Sequence, residues 1–145
     1  MLEASNFAGQ AIDKTKTTAA HAWSYAITSR YNIPHGYAVW CTLPKIFEIH
    51  ESVSKNQGQN NFSRYKRLKS IIEKLRKILG MKPENNSYDF LIQMLLSIGI
   101  TRTSIAQIAP SIDERRTLSA AVNKERMANN PIRFTEKEIN TIFDI

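Results

Sequence analysis

The chain has 145 residues, enough for one domain of ordinary size with a real core. Its 42% hydrophobic and 23% charged residues exclude a disordered segment, and its longest apolar run, Phe90 to Ile100, is broken by Gln93, Ser97 and Gly99, which excludes a bilayer span. A net charge of +7 keeps a polyanion partner in view, and the single cysteine, Cys41, excludes an intrachain disulfide.

No segment alternates apolar and polar residues at period two for long enough to make a sheet. The expectation is an all-α protein: one domain over 1–145, a helical bundle of about six to seven helices by apolar periodicity. The opening MLEASNFAGQAIDK carries Glu3 and no apolar leader core, so a cytoplasmic chain without a signal peptide is expected. A first helix is expected over Glu3 to Asp13 and a second from Thr18 to Tyr31, ending before Pro34. A third starts near His35, carries Ala38, Val39, Leu43, Ile46 and Phe47, and is expected to kink at Pro44. Cys41, among apolar residues in AVWCTLP, reads as an inert core thiol. Ser52 to Ser63 reads as a polar loop with Gly58.

RYKRLKSIIEKLRK, Arg64 to Lys77, gathers most of the positive charge. Ile71, Ile72, Leu75, Ile78 and Leu79 make an apolar stripe along it, so the cations fall on a solvated face. No aromatic platform accompanies them, which argues against nucleic acid as the partner. Gly80 caps this helix. SYDFLIQMLLSIGI should be an apolar helix in the middle of the bundle, followed by a connector containing Pro110. A helix from Ser111 to Ala128 stops at Asn129-Asn130-Pro131. Thr135 with Glu138 forms a capping box opening a last helix to Phe143.

His21 and His35 stand fourteen residues apart. From His21 to Tyr31 a helix climbs roughly 15 Å, and the four residues from Tyr31 to His35 reach about 13 to 14 Å when extended. The chain can therefore just return. Asn32 suits a helix end, Pro34 holds Ile33 extended, and Gly36 gives free backbone beside His35. Spacing permits a shared metal without compelling one, and two imidazoles are fewer than a catalytic divalent site uses. Upstream, the hydroxyls and free N–H groups of Lys14 to Thr18 suit an anion, and equally suit an ordinary N-cap. Tyr25 lies one turn above His21 on the same face, where its phenol either donates a hydrogen bond or packs. His50, in KIFEIHESVS, reads as a surface residue.

TKTTAAHAWSYAITSRYNIPHGYAVWCTLP resembles the metal-site segment of the iron-type (group III) alcohol dehydrogenases, and RMANNPIRFTEKEINTIF resembles that family's closing segment. The resemblance implies an all-helical C-terminal metal-binding domain in which His21 and His35 ligate a catalytic iron or zinc. It implies that Tyr25 stands where several members place a His near nicotinamide and substrate. KTTAAHAWSY is further similar to members that reduce phosphonate-bearing aldehydes such as phosphonoacetaldehyde, which would make Lys14, Thr15 and Thr18 substrate-binding residues. Two family features are missing. No Asp-x-x-x-His occurs here, although such a pair supplies the family's first two ligands, and no glycine-rich loop or βαβ pattern offers an NAD(P) site.

The implied function is the C-terminal metal-binding part of an NAD(P)-dependent alcohol dehydrogenase, truncated and inactive as an isolated chain. A small aldehyde or alcohol would be its substrate once a separate N-terminal half completed it. The alternative is a degenerate non-catalytic module binding a protein or polyanion through the basic helix. Loss of helix partners should leave Trp23, Trp40, Phe90, Met94 and Leu95 partly exposed and promote self-association.

Overall fold

A computed structural model describes residues 2–56, 62–99 and 111–143. Among these residues the structure is helical and contains no strand, as the periodicity predicts. In chain order the helices are α1 (Leu2–Lys14), α2 (Ala19–Tyr31), α3 (His35–Trp40), α4 (Leu43–Asn56) and α5 (Phe62–Ile78). They continue with α6 (Ser87–Ser97), α7 (Ile112–Ala120), α8 (Lys124–Ala128) and α9 (Glu136–Ile142). No described helix is long and apolar enough to cross a membrane.

Helix α2 runs through the middle of the packing. Ala19, Ala20, Ala22, Trp23, Ser24 and Ile27 are all buried, because α3, α4, α7 and α8 each cover part of its circumference. Its small residues let those neighbours approach closely. Trp23 fills the gap between α2 and the chain's end, its ring edge-on to Phe143 at 5.7 Å and tilted against Phe134 at 5.8 Å. Helix α4 is the second spine. It contacts α5, α6 and α9, and sends Ile46 and Phe47 into the same core as Leu68 and Ile72 of α5.

One polar network ties α4, α5 and α6 together. Arg76 Nη1 donates to Glu51 Oε1 at 3.1 Å and also to the Ser87 hydroxyl, which in turn donates to Glu51. Arg76 Nη2 donates to the carbonyls of Lys82 (2.7 Å) and Asn85 (3.0 Å), closing the turn after Gly80, whose φ of +74° needs glycine. Burial alone would raise the Glu51 pKa, but Lys55, Ser87 and Arg76 outweigh it and hold the carboxyl below its usual value.

Several boundaries differ from the sequence expectation. The helix expected to kink at Pro44 is instead two helices, broken at Cys41–Thr42. Pro44 sits in the first turn of α4, where a missing N–H leaves no bond unmade. The segment read as a loop from Ser52 is helical to Asn56, and α5 begins at Phe62. The helix expected over Ser111 to Ala128 breaks at Ala121–Asn123. The Pro110 connector lies outside the described residues.

Packing corrects four further expectations. Helix α6 is at one side of the bundle with α4 as its main neighbour; it buries Leu91, Ile92 and Leu95 but leaves Ile98 exposed. Trp23 and Leu95, expected to be partly exposed, are buried, whereas Trp40, Phe90 and Met94 are half-buried. On α5, only Ile72 of the predicted stripe is fully buried; Ile71, Leu75 and Ile78 remain exposed. His50 is no surface residue: it is 9% exposed, stacked on Phe134 at 5.8 Å, with Asn130 Nδ2 donating to its Nε2 at 3.2 Å. Helix α1 buries nothing, and Phe7 and Ile12 face solvent.

Candidate metal centre

Asn32 sits in the left-handed region, with φ 50° and ψ 42°, a conformation that asparagine tolerates better than most residues. It ends α2, and Pro34 (φ −56°, ψ 139°) then sets the chain extended for one step before α3 opens at His35. This corner turns the chain back along α2. As a result His35 Nε2 stands 3.2 Å from His21 Nδ1, with ring centroids 5.2 Å apart and planes tilted by 45°. Gly36 lies within α3, and a Cβ there would meet open space, so its backbone freedom is not what makes the corner.

Two nitrogens that each stand about 2.0–2.1 Å from one ion can be separated by up to about 4.2 Å, so the observed 3.2 Å fits a shared ion. The His21 pKa is pushed below its ordinary value, first by burial, then by His35 and Arg126. That favours the neutral imidazole, which is the ligating form. Among the described residues no third His, Cys, Asp or Glu joins the pair in a metal-holding group. The donors present thus fit two positions of a coordination shell and no more.

Other groups crowd the pair from a distant stretch of chain. Asn123 caps α8 by accepting from Arg126 N–H, and its own backbone N–H donates to the Ala22 carbonyl at 3.2 Å. This pins α8 beside α2. Arg126 then lies with its guanidinium carbon 4.9 Å above the Tyr25 ring, while Nη1 donates to Thr17 Oγ1 at 2.6 Å. Tyr25 in turn stands 5.3 Å from the His35 ring, and its hydroxyl makes no hydrogen bond among the described residues.

The other candidates lie apart from this cluster. Lys14 is exposed in the last turn of α1. The Thr15 hydroxyl donates to the Ala11 carbonyl at 2.7 Å. Thr18 is the N-cap of α2 without a side-chain cap bond. Thr15 and Thr18 line a separate groove of about 660 Å³ with Phe47, His50, Leu68 and Ile72. Of the Lys14–Thr18 run, it is Thr17 that reaches the imidazole side, through Arg126. Nothing local in the sequence marks Arg126, because the partners that place it are 109 positions away for Thr17 and also distant for Tyr25.

Residues 1–145 match, over their whole extent, the C-terminal region of the Fe-containing alcohol dehydrogenase family. The chain belongs to that family. It is also similar to the 4-hydroxybutyrate dehydrogenase of Clostridium kluyveri, with 27% identity over 138 residues. That alignment takes in 93% of this chain and 34% of the relative, so the chain spans about a third of the relative's length. No solved structure matches it. The all-α fold is the one this C-terminal region implies, and membership fixes the coarse class as an alcohol dehydrogenase part.

Proposed function

We propose that this chain supplies the paired-imidazole side of a divalent-metal centre in an NAD(P)-dependent alcohol or aldehyde oxidoreductase. The observation that carries the reading is the 3.2 Å approach of His21 and His35 across the Asn32–Pro34 corner, in a chain that matches the C-terminal region of a metal-dependent family. His21 and His35 would hold an iron or zinc ion, which when bound supplies Lewis acidity toward a carbonyl or alcohol oxygen. Tyr25 walls the space beside His35 and limits how a substrate approaches. The remaining metal donors and the NAD(P) site come from polypeptide outside the described residues. The chain alone therefore has no dehydrogenase turnover. The exposed apolar side chains Phe7 and Ile12 of α1, and Ile71 and Leu75 of α5, support association with a further chain, either an N-terminal half or a second copy. The substrate class is a short alcohol or aldehyde bearing an anionic end, as the name of the C. kluyveri relative and the phosphonate-subgroup likeness of KTTAAHAWSY both suggest.

Cobalt(II) titration of the purified chain, followed by proton NMR, tests this. The ring protons of His21 and His35 should broaden together at low metal, while buried His50 stays sharp as the internal control. His21→Ala and His35→Ala should each abolish the effect at the other ring. Equal broadening in parent and variants, or broadening of His50 first, refutes the centre.

A further inference from the structure

Arg126 is a cation held beside the imidazole pair without a carboxylate partner among the described residues. Three other arginines do have one: Arg30 pairs with Glu114 at 2.9 Å, Arg76 with Glu51 at 3.1 Å, and Arg116 with Asp113 at 3.6 Å. Arg126 instead rests over the Tyr25 ring at 4.9 Å and donates one N–H to Thr17. Those two contacts fix the guanidinium in place and use only one of its five donors. Thr17 Oγ1 is the acceptor in that bond, so its own hydroxyl proton remains available to donate.

The arrangement has the parts that recognise an acidic group. A half-buried guanidinium presents a planar fork, which matches a carboxylate or phosphonate through two parallel bonds. A hydroxyl donor stands at its side. Tyr25 lies between this fork and the imidazoles, 4.9 Å from the guanidinium carbon and 5.3 Å from the His35 ring. A short molecule lying along the tyrosine ring reaches both ends. We infer that Arg126 and Thr17 form an anion subsite that fixes the acidic end of an ω-anionic alcohol or aldehyde. The placing of that molecule's reacting end at His21 and His35 rests on the metal-centre reading above; the anion binding stands on the geometry of Arg126 itself. The subsite sets specificity: it rejects neutral alcohols of the same length, because the guanidinium would then be covered without a partner.

The test titrates the whole chain, stripped of metal, with 4-hydroxybutyrate, 2-hydroxyethylphosphonate and neutral 1,4-butanediol, reading the Arg126 Nε–H resonance by NMR. At least one acid should shift it saturably and the diol should not; which acid binds more tightly tells carboxylate from phosphonate. Arg126→Gln should weaken that binding about tenfold or more, and Arg126→Lys by less, because the charge survives without the fork. Circular dichroism on both variants reports whether α8 stays folded. If Arg126→Gln unfolds it, the Lys variant decides alone, with unchanged affinity counting against the subsite. Acids that bind Arg126→Gln as well as the parent, or a diol that shifts Arg126 equally, overturn the proposal. Acid binding without cobalt binding would remove the metal-centre reading and leave the subsite; the reverse would remove the subsite alone.

Discussion

Acidification from pH 7 to pH 4.5 probes the buried imidazole of His50. Burial pushes its pKa down to about 4, from an ordinary 6.5, while Asn130 and Glu138 pull weakly the other way. The folded protein therefore keeps His50 neutral, with Nε2 accepting from Asn130, through a range in which the unfolded chain takes up a proton. For a base with a depressed folded pKa, stability is fully present above pH 6.5 and is lost as pH falls toward 4. A shift of about 2.5 units is worth about 3 kcal/mol in total, of which about 2 to 3 kcal/mol is lost between pH 7 and pH 4.5. That is a large share of a small domain's margin. Urea unfolding followed by tryptophan fluorescence measures it directly, because Trp23 is 1% exposed in the fold and becomes hydrated on unfolding. His50→Gln keeps an acceptor and removes the titration. The parent should lose about 2 kcal/mol more than His50→Gln across this interval. Parallel losses in the two proteins would show that His50 titrates in the folded state as it does in water, and the burial argument would fall.

Arg76→Ala should destabilise the protein by about 2 to 3 kcal/mol, since it takes the half-buried guanidinium from Glu51, leaving Lys55 and Ser87 as that carboxylate's partners, and uncaps two carbonyls of the α5–α6 turn. Arg76→Lys should recover little of this, because one ammonium cannot reach both sides; equal urea midpoints for parent and Arg76→Lys would contradict the network. Thr135→Ala removes the capping box of α9, where Thr135 accepts from Glu138 N–H, and should lower stability by about 1 kcal/mol. No change in thermal midpoint would mean that the end of α9 is held by packing alone. The Cys41 thiol, 5% exposed and pushed up to about 11 by burial, should react with a thiol-disulfide reagent at pH 8 at least about a hundredfold more slowly in native than in urea-unfolded protein. Comparable rates would place the thiol at the surface.

What the residues revealed on their own follows their range of interaction. Helix type and the caps at Gly80 and Thr135 depend on neighbours within a few turns, so periodicity and turn chemistry find them. The return of His35 toward His21 is equally local, but spacing only permits it, and the family resemblance supplies the expectation that the rings meet. His50 reads as a surface residue within KIFEIHESVS, yet its environment is made by Asn130 and Phe134, 80 or more positions later. Arg126 was hidden for the same reason. Helix α6 reads as a central element by its apolar content, but which side of α4 it takes is settled by the Glu51–Arg76–Ser87 network, which no single segment encodes. The break before Pro44 was misplaced because proline is costly inside a helix and harmless in its first turn, and periodicity does not say which turn it occupies.

The Asn32–Pro34 corner has one more consequence. The two imidazoles meet across fourteen positions, whereas Arg126 meets Thr17 across 109. That is about three doublings of loop length, or roughly 2 kcal/mol of additional closure entropy. Under partial unfolding by heat or denaturant, the arginine contact should therefore be lost before the two histidines separate. Were the proposed anion subsite and metal centre both in place, discrimination between charged and neutral alcohols would be the more fragile property, and ion binding would outlast it.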